Sequence, residues 1–235
     1  MNKILITVFF SLWICSPSVG QQFHYPILPA VTHSIDGFKP QQWTVTDTAF
    51  GDLNKDGLED MALVLEYKDT VMEVLPPGSI AKPSIPRILV IVFKLREGEY
   101  SLAAQNNLFL LRSKEMDPGD AGSAGLFIDK KGVLHIHYEF FHGDAEYKFR
   151  YQNRDFYLIG YTQHGVAGGE FMTDDYNFLT KKHRSEYSSV EDVHPATSRM
   201  ERITAPPLQS FKTFIRPGTW PVEEDGMVLE NRLFK

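Results

Sequence analysis

The chain has 235 residues, a net charge of −6 and one cysteine, Cys15. Its mild acidity argues against nucleic acid or an anionic membrane as the main partner, while 43% hydrophobic residues suffice for a sizeable core. Past residue 20 there is no cysteine, so no disulfide framework can form there and stability must come from a core or a bound ion.

Residues 1–20 read as an export signal. Asn2-Lys3 gives a basic start, and Ile4 to Ile14 is an apolar run too short to span a bilayer as a mature anchor. Ser18-Val-Gly20 places small residues at −3 and −1 for cleavage before Gln21. Cys15 offers a lipid-anchored N-terminus as the alternative, which Ile14 disfavours because a lipobox wants a small residue there. The expected product is periplasmic or secreted, with about 215 residues in one domain or two small ones. No later hydrophobic run reaches membrane-spanning length.

Residues 21–43 carry Pro, Gln and Gly and read as an irregular lead-in to a β-rich domain over 44–235. Thr44 to Phe50 alternates as a strand does, and Met61 to Tyr67 reads as a buried strand. Between them lies Asp52-Leu-Asn-Lys-Asp-Gly-Leu-Glu-Asp60. Asp52, Asn54, Asp56 and Asp60 supply hard side-chain oxygens at positions 1, 3, 5 and 9, and Gly57 permits a sharp turn that faces the Leu58 carbonyl inward. That donor pattern suits Ca²⁺; a plain Asx/Gly turn is the simpler alternative. An acid at position 12 and a following helix would mark an EF-hand, but here Leu63 stands at position 12 and a strand follows.

The segment Ala49 to Val64 resembles a single FG-GAP (VCBS-type) repeat, as found in integrin α-chain propellers. The resemblance implies that the loop is the turn of a hairpin over 44–67. It also implies that Asp52, Asn54, Asp56 and Asp60 ligate Ca²⁺ by side chain and Leu58 by carbonyl. No second copy is present, so the resemblance covers the hairpin and not a propeller, which needs several blades.

Further along, Val74 to Pro86 holds four prolines and reads as a long surface loop. Arg87-Ile-Leu-Val-Ile-Val-Phe-Lys94 is continuously apolar and β-branched, as a central strand buried on both faces would be. Glu97-Gly98 turns it into a strand from Tyr100, and Asp117 to Gly125 is a second loop of small residues. From Leu126 a meander follows, with turns expected at Lys130 to Gly132, His142 to Ala145 and Asn153-Arg154. Phe211 to Ile215 reads as strand-like. The fold class expected is mostly β: an antiparallel sheet of hairpins, sandwich or partly propeller-like, with little helix.

Other residues carry possible chemistry. His135, His137 and Glu139 share one face of a strand, a geometry open to zinc. A turn at 142–145 would set Glu139 against Lys148 and His137 against Arg150, and those cations favour a solvated polar face instead. The opposite face carries Tyr138, Phe140, Tyr147, Phe149 and Tyr151, joined by Phe156, Tyr157 and Tyr161. It reads chiefly as core, with an aromatic platform for sugar or protein as the alternative; Tyr151 and Tyr161 are the rings expected at the surface. Gln163 to Glu170 lacks the residues of a phosphate loop and reads as a mobile connection; Thr173-Asp-Asp-Tyr176 reads chiefly as a solvated turn, with a second weak cation site as the alternative. No Gly-x-Ser-x-Gly elbow is present. Two functions remain: an exported, calcium-stabilised binding domain for an envelope or extracellular protein or glycan, or an exported hydrolase using acids in the loops at 117–125 and 163–175. Convergence of those acids in one concave pocket would separate them.

Overall fold

The computed structural model describes residues 23–75, 78–112, 124–189, 191, 197–204 and 207–214. The expected export signal, most of the 117–125 loop and Ile215 lie outside the described residues. In chain order the first strands are β1 (Val31–Thr32), β2 (Trp43–Gly51), β3 (Asp60–Tyr67), β4 (Val71–Glu73), β5 (Lys82–Ser84), β6 (Arg87–Lys94) and β7 (Tyr100–Asn106). They are followed by β8 (Ala124–Ile128), β9 (Val133–Phe140), β10 (Gly143–Gln152), β11 (Asp155–Ala167), β12 (Glu170–Asn177), β13 (Lys182–Ser189) and β14 (Thr197–Arg202). A 3₁₀ turn at Ile35–Phe38 is the helical element among the described residues.

The protein is mostly β, built of antiparallel sheets of hairpins that do not close into a barrel. Sheet one has the order β1-β7-β6-β3-β2, sheet two β14-β13-β12-β11-β10-β9-β8, and β4 pairs with β5 alone. The proline-rich stretch expected to be all loop therefore contains a small hairpin, with Pro83 in a two-stranded ribbon that has a free edge for it. Lead-in residues do more than connect. Phe23, Tyr25, Leu28 and Phe38 cover one face of sheet one, packing with Trp43, Leu63, Leu65, Ile88, Val90 and Val92. The alternate residues of the same strands, Ala62, Val64, Leu89 and Ile91, face sheet two and meet Ile136, Tyr138, Tyr147, Phe149 and Phe156. β6 is thus central and buried on both faces, which is why its sequence shows no polar alternation.

The two sheets are stitched together along the β2–β8 seam. The Leu126 amide of β8 donates to the Asp47 carboxylate of β2 at 2.8 Å. The turn between β8 and β9 rests on the segment after β2: a Cβ on Gly132, whose φ is +70°, would fall 2.5 Å from the Asp52 carbonyl oxygen. The Asp52–Asp60 loop therefore sits where the sheets join.

Three more expectations change in the tertiary structure. Gln163 to Ala167 belongs to β11, and Thr173 to Tyr176 lies within β12, because each segment is held between two neighbouring strands of sheet two. Phe211 begins a turn rather than a strand; the Phe211 amide bonds the Phe156 carbonyl at 2.8 Å and its ring is buried in the core.

Candidate functional sites

In the loop after β2, the side chains fold back onto the backbone. Asp52 accepts from the Asp56 amide at 3.1 Å and the Gly57 amide at 3.0 Å, and Asn54 Oδ1 accepts from the Asp56 amide at 2.9 Å. Asn54 Nδ2 donates to Asp56 Oδ2 at 3.0 Å, and Asp56 Oδ1 accepts from the Leu58 amide at 2.8 Å. Lys55 and Gly57 take positive φ of 65° and 85°, which curls the loop tightly enough for these bonds. Asp52, Asn54 and Asp56 thus gather their side-chain oxygens over one exposed turn.

Asp60 behaves differently. It is fully buried, and its carboxylate accepts from the Leu53, Asn54 and Lys94 amides at 2.9, 3.3 and 3.0 Å. Burial pushes its carboxyl up to about 6, against the lowering pull of those amides. It ties the loop's base to the end of β6, leaving roughly one of the four lone-pair directions of a carboxylate unused. The donor chemistry fits a hard cation. As the side chains stand, the carboxylates are occupied by amides, and no three His, Asp or Glu side chains among the described residues are grouped closely enough to hold a metal.

The outer face of sheet two corrects the sequence reading most. The β9–β10 turn is Phe141-His142, with Phe140 opposite Gly143, so Glu139 faces Asp144, His137 faces Glu146 and His135 faces Lys148. The expected partners were Lys148 for Glu139 and Arg150 for His137. His137 therefore faces an acid, and His135, though opposite Lys148, has its ring against two carboxylates. His135 lies 3.1 Å from Glu146 and 3.6 Å from Asp129. The hydrogen bond from His135 brings the Glu146 carboxyl down to about 2, and the Glu146 bond in turn raises His135 above the ordinary imidazole range despite partial burial. Lys148 bonds Thr162 at 2.7 Å and lies 3.3 Å from Glu146; Thr162 donates to Asp175 at 2.8 Å. Nearer the hairpin tip, Asp144 Oδ1 is 2.9 Å from His164 Nδ1 and 4.0 Å from His137 Nδ1.

The opposite, aromatic face is core. Tyr138, Tyr147, Phe149 and Phe156 are buried, and so is Tyr161 at 1% exposure, although a surface position was expected for it. Tyr151 is half-buried against Phe93, with ring centroids 5.0 Å apart. Sheet one lies over these rings and removes the platform. The exposed phenylalanines lie elsewhere: Phe50, Phe127, and Phe141 and Phe171 at 70% and 49% exposure. The latter two line a shallow groove of about 500 Å³ with His142, His164, Val166 and Thr173.

Two further clusters have no local sequence signal. Arg112 is fully buried, 3.1 Å from Glu73, and bonds the Tyr25 hydroxyl at 2.6 Å and the Asn107 carbonyl at 2.7 Å; Tyr25 and Ser84 both donate to Glu73. His183 stacks on Tyr176 at 4.1 Å and touches Asp174 at 2.8 Å and Glu201 at 3.1 Å. Burial alone would lower His183, but its bonds to Asp174 and Glu201 outweigh burial and raise it.

Comparison with models of known protein families finds none that matches this chain, and neither curated proteins nor solved structures supply a significant match. Among the described residues no helix is long and apolar enough to cross a membrane.

Proposed function

We propose that the chain is an exported, calcium-stabilised, non-enzymatic binding domain whose partner is an envelope or extracellular protein or glycan. The observation that carries this reading is the position of the Asp52–Asp60 loop. It lies on the β2–β8 seam, its backbone touching the Gly132 turn of sheet two and its base pinned by Asp60 to β6 of sheet one. An ion held there by Asp52, Asn54 and Asp56, with the Leu58 carbonyl and the spare capacity of Asp60, would neutralise crowded carboxylates and brace the junction of both sheets. Its binding free energy would add to folding free energy.

The hydrolase reading finds less support. Asp174 is engaged by His183, and Asp175 by Thr162. The groove at Phe141 and Phe171 is lined by no carboxylate. A cavity of about 280 Å³ beside Tyr25 is lined by one acid, Glu73, which Arg112 already pairs.

Thermal melts with Ca²⁺ and with chelator test the proposal. With free Ca²⁺ at about a hundred times its dissociation constant, linkage stabilises by about 2.7 kcal/mol, or about 5–10 °C for a chain of this size. Asp56→Ala should lose most of that shift, and Glu59→Ala, outside the donor pattern, should keep it. Equal melting temperatures for the wild type in both conditions would mean that the loop is only a polar turn.

A further inference from the structure

We propose that His137, Asp144 and His164, with Glu139 beside them, form a second metal site, selective for a borderline divalent ion such as Zn²⁺, on the outer face of sheet two. The hairpin register creates it. Asp144 of β10 lies directly opposite Glu139 of β9 and directly opposite His164 of β11, while His137 is the diagonal neighbour two residues along β9. Residues directly opposite share a face, and diagonal partners stay within reach of a long side chain. Two imidazoles and two carboxylates from three adjacent strands thus stand together, though they are scattered over twenty-eight positions of sequence from 137 to 164.

The two distances from Asp144 to the histidines bracket a metal's ligand spacing. With metal–nitrogen bonds of about 2.0–2.1 Å and metal–oxygen bonds of about 2.0–2.2 Å, tetrahedral geometry sets ligating N and O roughly 3.4 Å apart. Asp144 Oδ1 is 2.9 Å from His164 Nδ1 and 4.0 Å from His137 Nδ1. Each gap is within about 0.6 Å of that tetrahedral edge. The His137 ring must swing inward for all three to share one ion, since the side chains as placed form no ready-made three-ligand group. His137 and His164 have side-chain exposures of 39% and 49%, so the swing meets little packing and an ion can enter from solvent.

Electrostatics points the same way. Asp144 and Glu139 form a directly opposed pair of like charges, an arrangement that destabilises a sheet unless a cation lies between them. The ion-pair contacts of Asp144 are to imidazoles, while Lys148, the nearest lysine along the strand, is engaged by Glu146 and Thr162. Imidazole nitrogens select this site for Zn²⁺ or a similar transition ion over Ca²⁺, which prefers oxygen alone. The site is therefore chemically distinct from the Asp52–Asp60 loop. His164 also lines the groove with Phe141 and Phe171, so a ligand completing the coordination shell would lie against those rings.

The test uses the purified protein with Ca²⁺ present in excess to keep the loop out of competition. Co²⁺ is titrated and its visible d–d absorption followed, then Zn²⁺ is added to displace it. One equivalent should give the intense bands of a low-coordinate nitrogen-ligated site, bleached by Zn²⁺. His137→Ala and His164→Ala should each weaken binding by more than the roughly 10–100-fold that losing an outer-shell partner costs. Both positions are partly exposed, so melting temperatures in chelator should match the wild type and separate lost ligation from lost fold. Asp56→Ala should leave Co²⁺ binding unchanged. Absence of a stoichiometric band, binding that survives both histidine variants, or binding lost in Asp56→Ala would each overturn the proposal.

Discussion

Glu73→Ala would take the paired carboxylate away from a guanidinium buried inside the protein. Arg112 has a side-chain exposure of 0% and Glu73 of 4%, with Nε and Oε2 3.1 Å apart. Arg112 also bonds the Tyr25 hydroxyl and the Leu110 and Asn107 carbonyls. The cluster ties four segments together: the lead-in by Tyr25, β4 by Glu73, β5 by Ser84 and the stretch after β7 by Arg112. Removing one member of a buried pair costs about 3–5 kcal/mol, because the other charge keeps its desolvation penalty without compensation. For a chain of this size, each kcal/mol lowers the melting temperature by about 2–4 °C, giving a fall of roughly 6–20 °C. Arg112→Met should cost a similar amount. The double variant Glu73→Leu/Arg112→Met should cost well under the sum of the singles, since neither member of the pair is left buried without the other. Urea unfolding of the four proteins measures the coupling, with unchanged m-values as the check that the unfolding reaction is the same. Should Glu73→Ala fail to fold, Tyr25→Phe gives a gentler reading. It removes one hydroxyl between the two charges and should cost on the order of 1–3 kcal/mol. A cost below about 1 kcal/mol for Glu73→Ala, or additivity within about 0.5 kcal/mol, would refute the reasoning.

Two other outcomes follow from the packing. His183 titrates above the ordinary value of 6.5 in the folded protein, so it contributes stability that is fully present below that value and is lost as pH rises through the higher folded one. His183→Gln should therefore flatten the decline in urea midpoint as pH rises above the ordinary imidazole range; an unchanged slope would show that the Asp174 and Glu201 contacts do not bind the proton. At Gly132, alanine must resolve a 2.5 Å approach to the Asp52 carbonyl and adopt a φ of +70°. Gly132→Ala should cost more than about 1 kcal/mol and shrink the calcium-induced rise in melting temperature, whereas full retention of that rise would uncouple the loop from the seam.

Much of this architecture is legible in the chain. The unbroken apolar run Ile88 to Val92 marks a strand covered on both sides, and the alternation of Val133 to Phe140 separates a polar from an apolar face. Asn153-Arg154 is a turn by composition and takes the positive φ of 51° and 63° that such a turn uses. These features depend on neighbours within a few residues, which is the range over which propensity and periodicity act.

What the tertiary structure decided is which faces and partners meet. The β9–β10 register differs from the sequence expectation by four residues, moving the residue opposite His137 from Arg150 to Glu146. An even shift keeps every side chain on its face, so the polar and apolar faces were read correctly while each cross-strand partner was not. No local pattern distinguishes a turn at 141–142 from one at 142–145; the pairing of the assembled sheet fixes it, and with it the meeting of His137, Asp144 and His164. Arg112 shows the same limit more sharply. Nothing near it in sequence announces burial, because the groups that make burial tolerable, Tyr25 and Glu73, arrive from eighty-seven and thirty-nine residues away only after the sheets have closed.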